Sequence, residues 1–109
     1  LIPSQSVIDG FGDPSKAIPL ARIECHYFMN NAFFSSNNYL IENIDRIRHI
    51  PGVIVQGRYD VVCPMMSAWL LHKAWPEAKL EVIATAGHSA TEEGIIDALV
   101  RATDEFKTL

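Results

Sequence analysis

Apolar residues recur at three- and four-residue spacing through Leu20, Ile23, Tyr27 and Phe28, with Ala32 and Phe33 beyond, while Arg22 and Glu24 fall off that stripe. The spacing predicts a helix over 19–31. Pro19 is expected in its first turn, where a missing N–H costs nothing. Before it, residues 1–18 show no period. Pro3, Gly10, Gly12 and Pro14 punctuate that stretch, which predicts a linker or surface loop. After the polar break Ser35-Ser36-Asn37-Asn38, the residues Leu40, Ile44 and Ile47 predict a second, shorter helix over 39–50. Ile50-Pro51 stops it, because the residue before a proline is pushed out of helical geometry.

From Pro51 onward the period changes. Val53, Ile54 and Val55 form an apolar run with no polar alternation, the pattern of a parallel strand covered on both faces. Gly57 ends it, and Pro64 stands where a helix over 65–75 can begin, with Ala68, Leu70, Leu71 and Trp75 on its apolar side. Residues 80–85 read as another strand. A last helix over 92–106 carries Ile95, Ile96, Leu99, Val100, Thr103 and Phe106 at helical period. The order β-α-β-α places the chain in the α/β class, with parallel strands, a right-handed crossover and helices covering the sheet. Two strands alone leave both outer edges unpaired. Either further strands lie on chain outside these residues, or copies of this fragment self-associate through the exposed strand edges.

Composition narrows the partners. The 109 residues carry a formal net charge of −4, so there is no electrostatic footprint for nucleic acid. No apolar run approaches the ~20 residues of a membrane helix, and no membrane partner is expected. The chain opens on Leu1 and reads as a piece of a longer protein. Its 2 cysteines, Cys25 and Cys63, make no disulfide framework and read as free thiols in a reducing compartment, which predicts a cytoplasmic location. His26, His49 and His72 lack metal-ligand spacing with one another or with cysteine, so no metal site is expected. Trp69 and Trp75 read as helix-to-core packing.

The candidate chemistry sits at the ends of the two strands. Gly57-Arg58-Tyr59-Asp60 delivers a carboxylate to the carboxyl end of the first, where ligands and catalytic groups collect in open α/β sheets. Ala86-Gly87-His88-Ser89-Ala90 delivers an imidazole after the second. The chain order is that of the last two members of a Ser…Asp…His triad. In that role His88 takes a proton from a serine hydroxyl and returns it to the leaving amine, while Asp60 fixes the imidazole tautomer. The plainer alternatives are that Asp60 caps the helix after Pro64 and that His88 merely precedes the last helix. No nucleophile motif is present, and Ser89 beside the histidine is not in an elbow.

The runs Ala21-Arg22-Ile23-Glu24-Cys25-His26-Tyr27-Phe28, 43–52 from Asn43 to Gly52, Gly57-Arg58-Tyr59-Asp60-Val61-Val62-Cys63-Pro64 and Ala86-Gly87-His88-Ser89 together closely resemble the proline iminopeptidase family of α/β-hydrolases. The resemblance spans nearly everything from about residue 16. It implies the C-terminal part of an α/β-hydrolase: residues 1–38 a linker and part of a helical cap, residues 39–109 part of the hydrolase core. It implies a serine exopeptidase that releases N-terminal proline from peptides through an acyl-enzyme, with no cofactor. Asp60 and His88 are then the triad acid and base. Glu24 matches a cap glutamate that binds the substrate's free α-amino group. Cys25 departs from the family's usual asparagine. Tyr27 and Phe28 either line the prolyl pocket or serve as core. The nucleophilic serine and oxyanion hole lie outside these residues, so the fragment alone is expected to be inactive. The rival readings are another capped α/β-hydrolase, an esterase or amidase indifferent to the amine, and a non-catalytic binding or oligomerisation module.

Overall fold

The computed structural model describes residues 4–107, the side chain of Val7 excepted. These residues form two compact units, divided between Tyr39 and Leu40.

The first unit is helical. Helix α1 spans Gln5–Gly12 and α2 spans Pro14–Met29. The loop expected over 1–18 is therefore helical from Gln5 on, while Pro3 lies outside the described residues. The punctuation marks a junction between helices. Asp13 caps α2 by accepting from the Ser15 N–H (2.9 Å) and the Ser15 hydroxyl (2.8 Å), and Pro14 takes the first helical position. That cap starts the helix ahead of Pro19, which sits inside α2 and not in its first turn. At the far end the Asn30 side-chain amide donates to the His26 carbonyl (2.8 Å). The backbone then reverses through Asn31, Ala32 and Phe33, with φ of 50°, 51° and 63°. The predicted stripe of α2 lies on the helix, yet Leu20, Ile23, Tyr27 and Phe28 are all exposed. Tyr27 meets Phe33 edge-on at 5.5 Å between ring centroids.

The continuous helix expected over 39–50 is instead a short turn of helix, α3 (Tyr39–Glu42), followed by a 3₁₀ turn over Ile44–Arg46. Asn43 breaks the pattern, with φ −110° and ψ 12°. Only Ile44 of this segment is buried.

The second unit holds strand β1 (Val53–Gly57), helix α4 (Met65–Ala74), strand β2 (Lys79–Ile83) and helix α5 (Glu93–Phe106). The strands pair in parallel, from Val53 opposite Lys79 to Gly57 opposite Ile83. Pro64 is the cap residue of α4, one position before its first turn. Helices α4 and α5 each pack against both strands. The stripe of α5 that turns inward is Ile95, Ala98 and Ala102, spaced by three and four. Ile96, Leu99 and Val100, expected on the same stripe, are exposed. Small residues thus face the sheet and let the helix approach closely. The Val53–Val55 run is half-buried and not fully covered on both faces, because the described residues supply only these two strands and two helices. Trp75 packs its indole over Gly52, where any Cβ would overlap the ring, whereas Trp69 is 45% exposed and is not core.

Candidate active site

The parallel register brings the carboxyl ends of β1 and β2 side by side, so the loops that follow are neighbours. The ladder runs on past the strands: the Arg58 N–H donates to the Ile83 carbonyl (3.0 Å) and the Tyr59 N–H to the Ala86 carbonyl (2.9 Å). Gly57 is what permits this. A Cβ there would fall inside the Gly87 carbonyl oxygen, so only glycine lets the two loops touch backbone to backbone.

Asp60 and His88 meet in consequence. His88 Nδ1 lies 3.1 Å from Asp60 Oδ1 and 3.0 Å from Oδ2. An ionised carboxylate only accepts, so Nδ1 carries the proton and donates. In the neutral imidazole this leaves Nε2 as the basic nitrogen. The Asp60 side chain is 8% exposed and that of His88 55%. The acid is shielded while the imidazole remains open to a reacting group.

Asp60 also holds its own loop. Its Oδ1 accepts from the Val62 N–H (3.0 Å) and the Cys63 N–H (2.8 Å), an Asx-type turn. The carboxylate thus holds both its own loop and the imidazole, but it does not cap α4, whose start carries no side-chain cap. Burial is the largest influence on its pKa and pushes it up. The bonds from Cys63, His88 and Val62, with the charge of His88, outweigh that and hold the pKa below the usual aspartate range.

Two residues brace these loops: Gln56, which carried no expectation, and Glu92, which was expected only as a first-turn charge favourable to the dipole of the last helix and stands one position before it. The Gln56 side-chain amide donates to the Gly57 carbonyl and to the Cys63 carbonyl (both 3.1 Å), tying the Asp60 loop back to the strand. Glu92 Oε1 accepts from the Gly87 N–H (2.9 Å) and the Ser89 N–H (3.3 Å), on either side of His88. The signal for Glu92 was present as Ser89-x-x-Glu92 ahead of an apolar run, a capping-box spacing. For Gln56, a polar residue inside an apolar strand was the available clue.

Among the described residues Asp60, Cys63 and His88 also bring a carboxylate oxygen, Sγ and a ring nitrogen within 4.8 Å of one another. These donor types suit a borderline divalent metal. However, His88 Nδ1 carries the proton it donates to Asp60, so a cation held by this nitrogen would have to replace that proton and break the hydrogen bond. Cys63 and Cys25 are both exposed free thiols. Glu24 lies on α2 of the first unit and is exposed.

No helix among the described residues is long and apolar enough to cross a membrane. No protein-family model matches the chain. Curated relatives do. The chain is 58% identical over 106 residues to a probable proline iminopeptidase of Leptolyngbya boryana, covering 97% of this chain and 33% of that protein. It is 53% identical over 109 residues to the proline iminopeptidase of Arabidopsis thaliana, covering 100% of this chain and 29% of that protein. It is 54% identical over 102 residues to the proline iminopeptidase of Xanthomonas citri, covering 94% of this chain and 33% of that protein. The chain spans about a third of the length of these relatives, their C-terminal part.

Proposed function

We propose that this chain, which resembles the C-terminal part of proline iminopeptidases, supplies the acid–base half of a serine exopeptidase that releases N-terminal proline from peptides. The observation that carries the proposal is the His88 Nδ1 to Asp60 hydrogen bond, in a chain with this likeness. In this reading a serine hydroxyl, supplied by the rest of the protein, gives its proton to His88 Nε2 as it attacks the prolyl carbonyl. The imidazolium that forms is stabilised by Asp60 and then protonates the leaving amine. Water repeats the cycle on the acyl-enzyme. Neither step draws on a cofactor. Glu24 pairs with the ammonium of the substrate's free end, which selects a chain terminus over an internal proline. A cytoplasmic location fits the exposed free thiols of Cys25 and Cys63. The 109 residues by themselves are inactive, because acyl transfer needs the nucleophile and its oxyanion donors.

The test is hydrolysis of a prolyl arylamide and its N-acetyl twin by the intact protein. Cleavage of the free-amine substrate alone is expected. Glu24→Gln should erode that preference chiefly through KM, and His88→Ala should abolish turnover. Equal cleavage of both substrates would return the chain to the esterases and amidases and Glu24 to an ordinary surface charge.

A further inference from the structure

We infer that Glu92 is a positioning residue, whose carboxylate clamps the turn that carries His88 and sets the imidazole against Asp60. The inference rests on the reading of His88 as the general base. Its geometric basis is that one oxygen, Oε1, accepts from the N–H groups of both residues flanking the histidine, Gly87 and Ser89. The backbone of the same residue starts α5: the Glu92 carbonyl accepts from the Ile95 and Ile96 N–H groups (both 2.9 Å), and its own N–H donates to the Ser89 carbonyl (3.1 Å). Glu92 does not use its side chain to cap its own helix. It reaches back across the turn instead. The imidazole turn is therefore fixed to the rigid end of α5, which is itself seated on the sheet through Ile95 and Ala98.

An ionised carboxylate suits this task because it only accepts and both of its bonds are charge-assisted. The remaining restraints on the turn are weaker or act at its ends. The Ala86 carbonyl receives the Tyr59 N–H, and the Ser89 hydroxyl meets Thr91 Oγ1 at 2.7 Å and accepts from the Thr91 N–H at 3.2 Å. None of these grips Gly87. Without Glu92 the Gly87–Ser89 peptides lose both acceptors, and the ring loses the frame that holds Nδ1 on Asp60. Misplacement of a reacting group by about 1 Å costs on the order of 10²-fold in rate.

The experiment is steady-state hydrolysis of a prolyl arylamide by the intact protein carrying Glu92→Ala, Glu92→Asp, Glu92→Gln or His88→Ala. Glu92→Ala and Glu92→Asp should lower kcat by roughly 10- to 100-fold with KM within about threefold. Glu92→Gln should recover most of the rate, since its amide oxygen still reaches both N–H groups. An inactive His88→Ala beside an unchanged kcat in Glu92→Ala would overturn the clamp and leave the base reading intact. An active His88→Ala would overturn the base reading itself. Backbone amide exchange in the wild-type protein gives a second check that needs no variant. Gly87 and Ser89 should exchange slowly, and exchange as fast as in an unstructured peptide would mean that the carboxylate does not hold them.

Discussion

The Asp60 carboxylate accepts from two backbone N–H groups and from His88, contacts that the unfolded chain lacks. Its folded pKa is therefore depressed despite burial. A carboxylate with a depressed folded pKa adds stability that is present above its unfolded value of about 3.9 and is lost as pH falls through the folded value. The measurement is the unfolding temperature of wild type and Asp60→Asn across pH. Their difference should shrink as pH falls below about 4. Parallel curves through that window would mean that these contacts do not favour the ionised acid. Such a comparison isolates Asp60 from Glu77, whose pKa is also lowered, chiefly by its hydrogen bond from Arg48.

The α5 element works through a narrow contact. Ile95 is its large inward side chain, beside Ala98 and Ala102, and Gly94 brings the helix so near β2 that a Cβ would come to 2.7 Å from Ile83 Cγ2. Ile95→Ala should therefore cost about 2–5 kcal/mol in denaturant unfolding, the range for truncating a buried isoleucine. An unchanged midpoint would mean that the helix is not seated through this residue. The same helix shows what the sequence made legible. Its existence and bounds followed from apolar spacing, as did α4, while β1 and β2 showed as short apolar runs between breakers, β2 lying at Lys79–Ile83 and not over 80–85. The face it buries was less readable: alanine is apolar but small, so Ala98 and Ala102 were passed over in favour of Ile96, Leu99 and Val100. Residues 5–18 misled because Asp13-Pro14 is both a breaker and a start signal, and its start-signal role was overlooked. Residues 39–50 misled because a correct apolar spacing says nothing of the break at Asn43. The proximity of Asp60 and His88 was foreseeable from strand order. The braces from Gln56 and Glu92 were not read, since side-chain to backbone bonds leave only faint marks in a pattern of hydrophobicity.

At the scale of the whole chain, the sheet of the described residues has two strands, each paired on one side only. The backbone groups on the outer sides of β1 and β2 are a template for further pairing. Around them large apolar side chains stand exposed, among them Val61, Val62, Met66 and Leu70. In the 109-residue chain on its own, the occupant at hand that offers the same unpaired strands is a second copy. We therefore expect the isolated chain to self-associate by edge pairing. Sedimentation should show an average mass that rises with concentration. In parallel, the outward amides of β1 or β2 should gain exchange protection over the same range. A strictly monomeric particle at high concentration would count against any association. A growing mass without new protection in the strands would place the contact on the apolar helix faces and remove edge pairing as its cause. Under the proposed function, further strands of the same protein occupy those edges. On that proposal, supplying the remaining portion should abolish the association and create activity together, since the same chain would complete the sheet and bring a serine to His88.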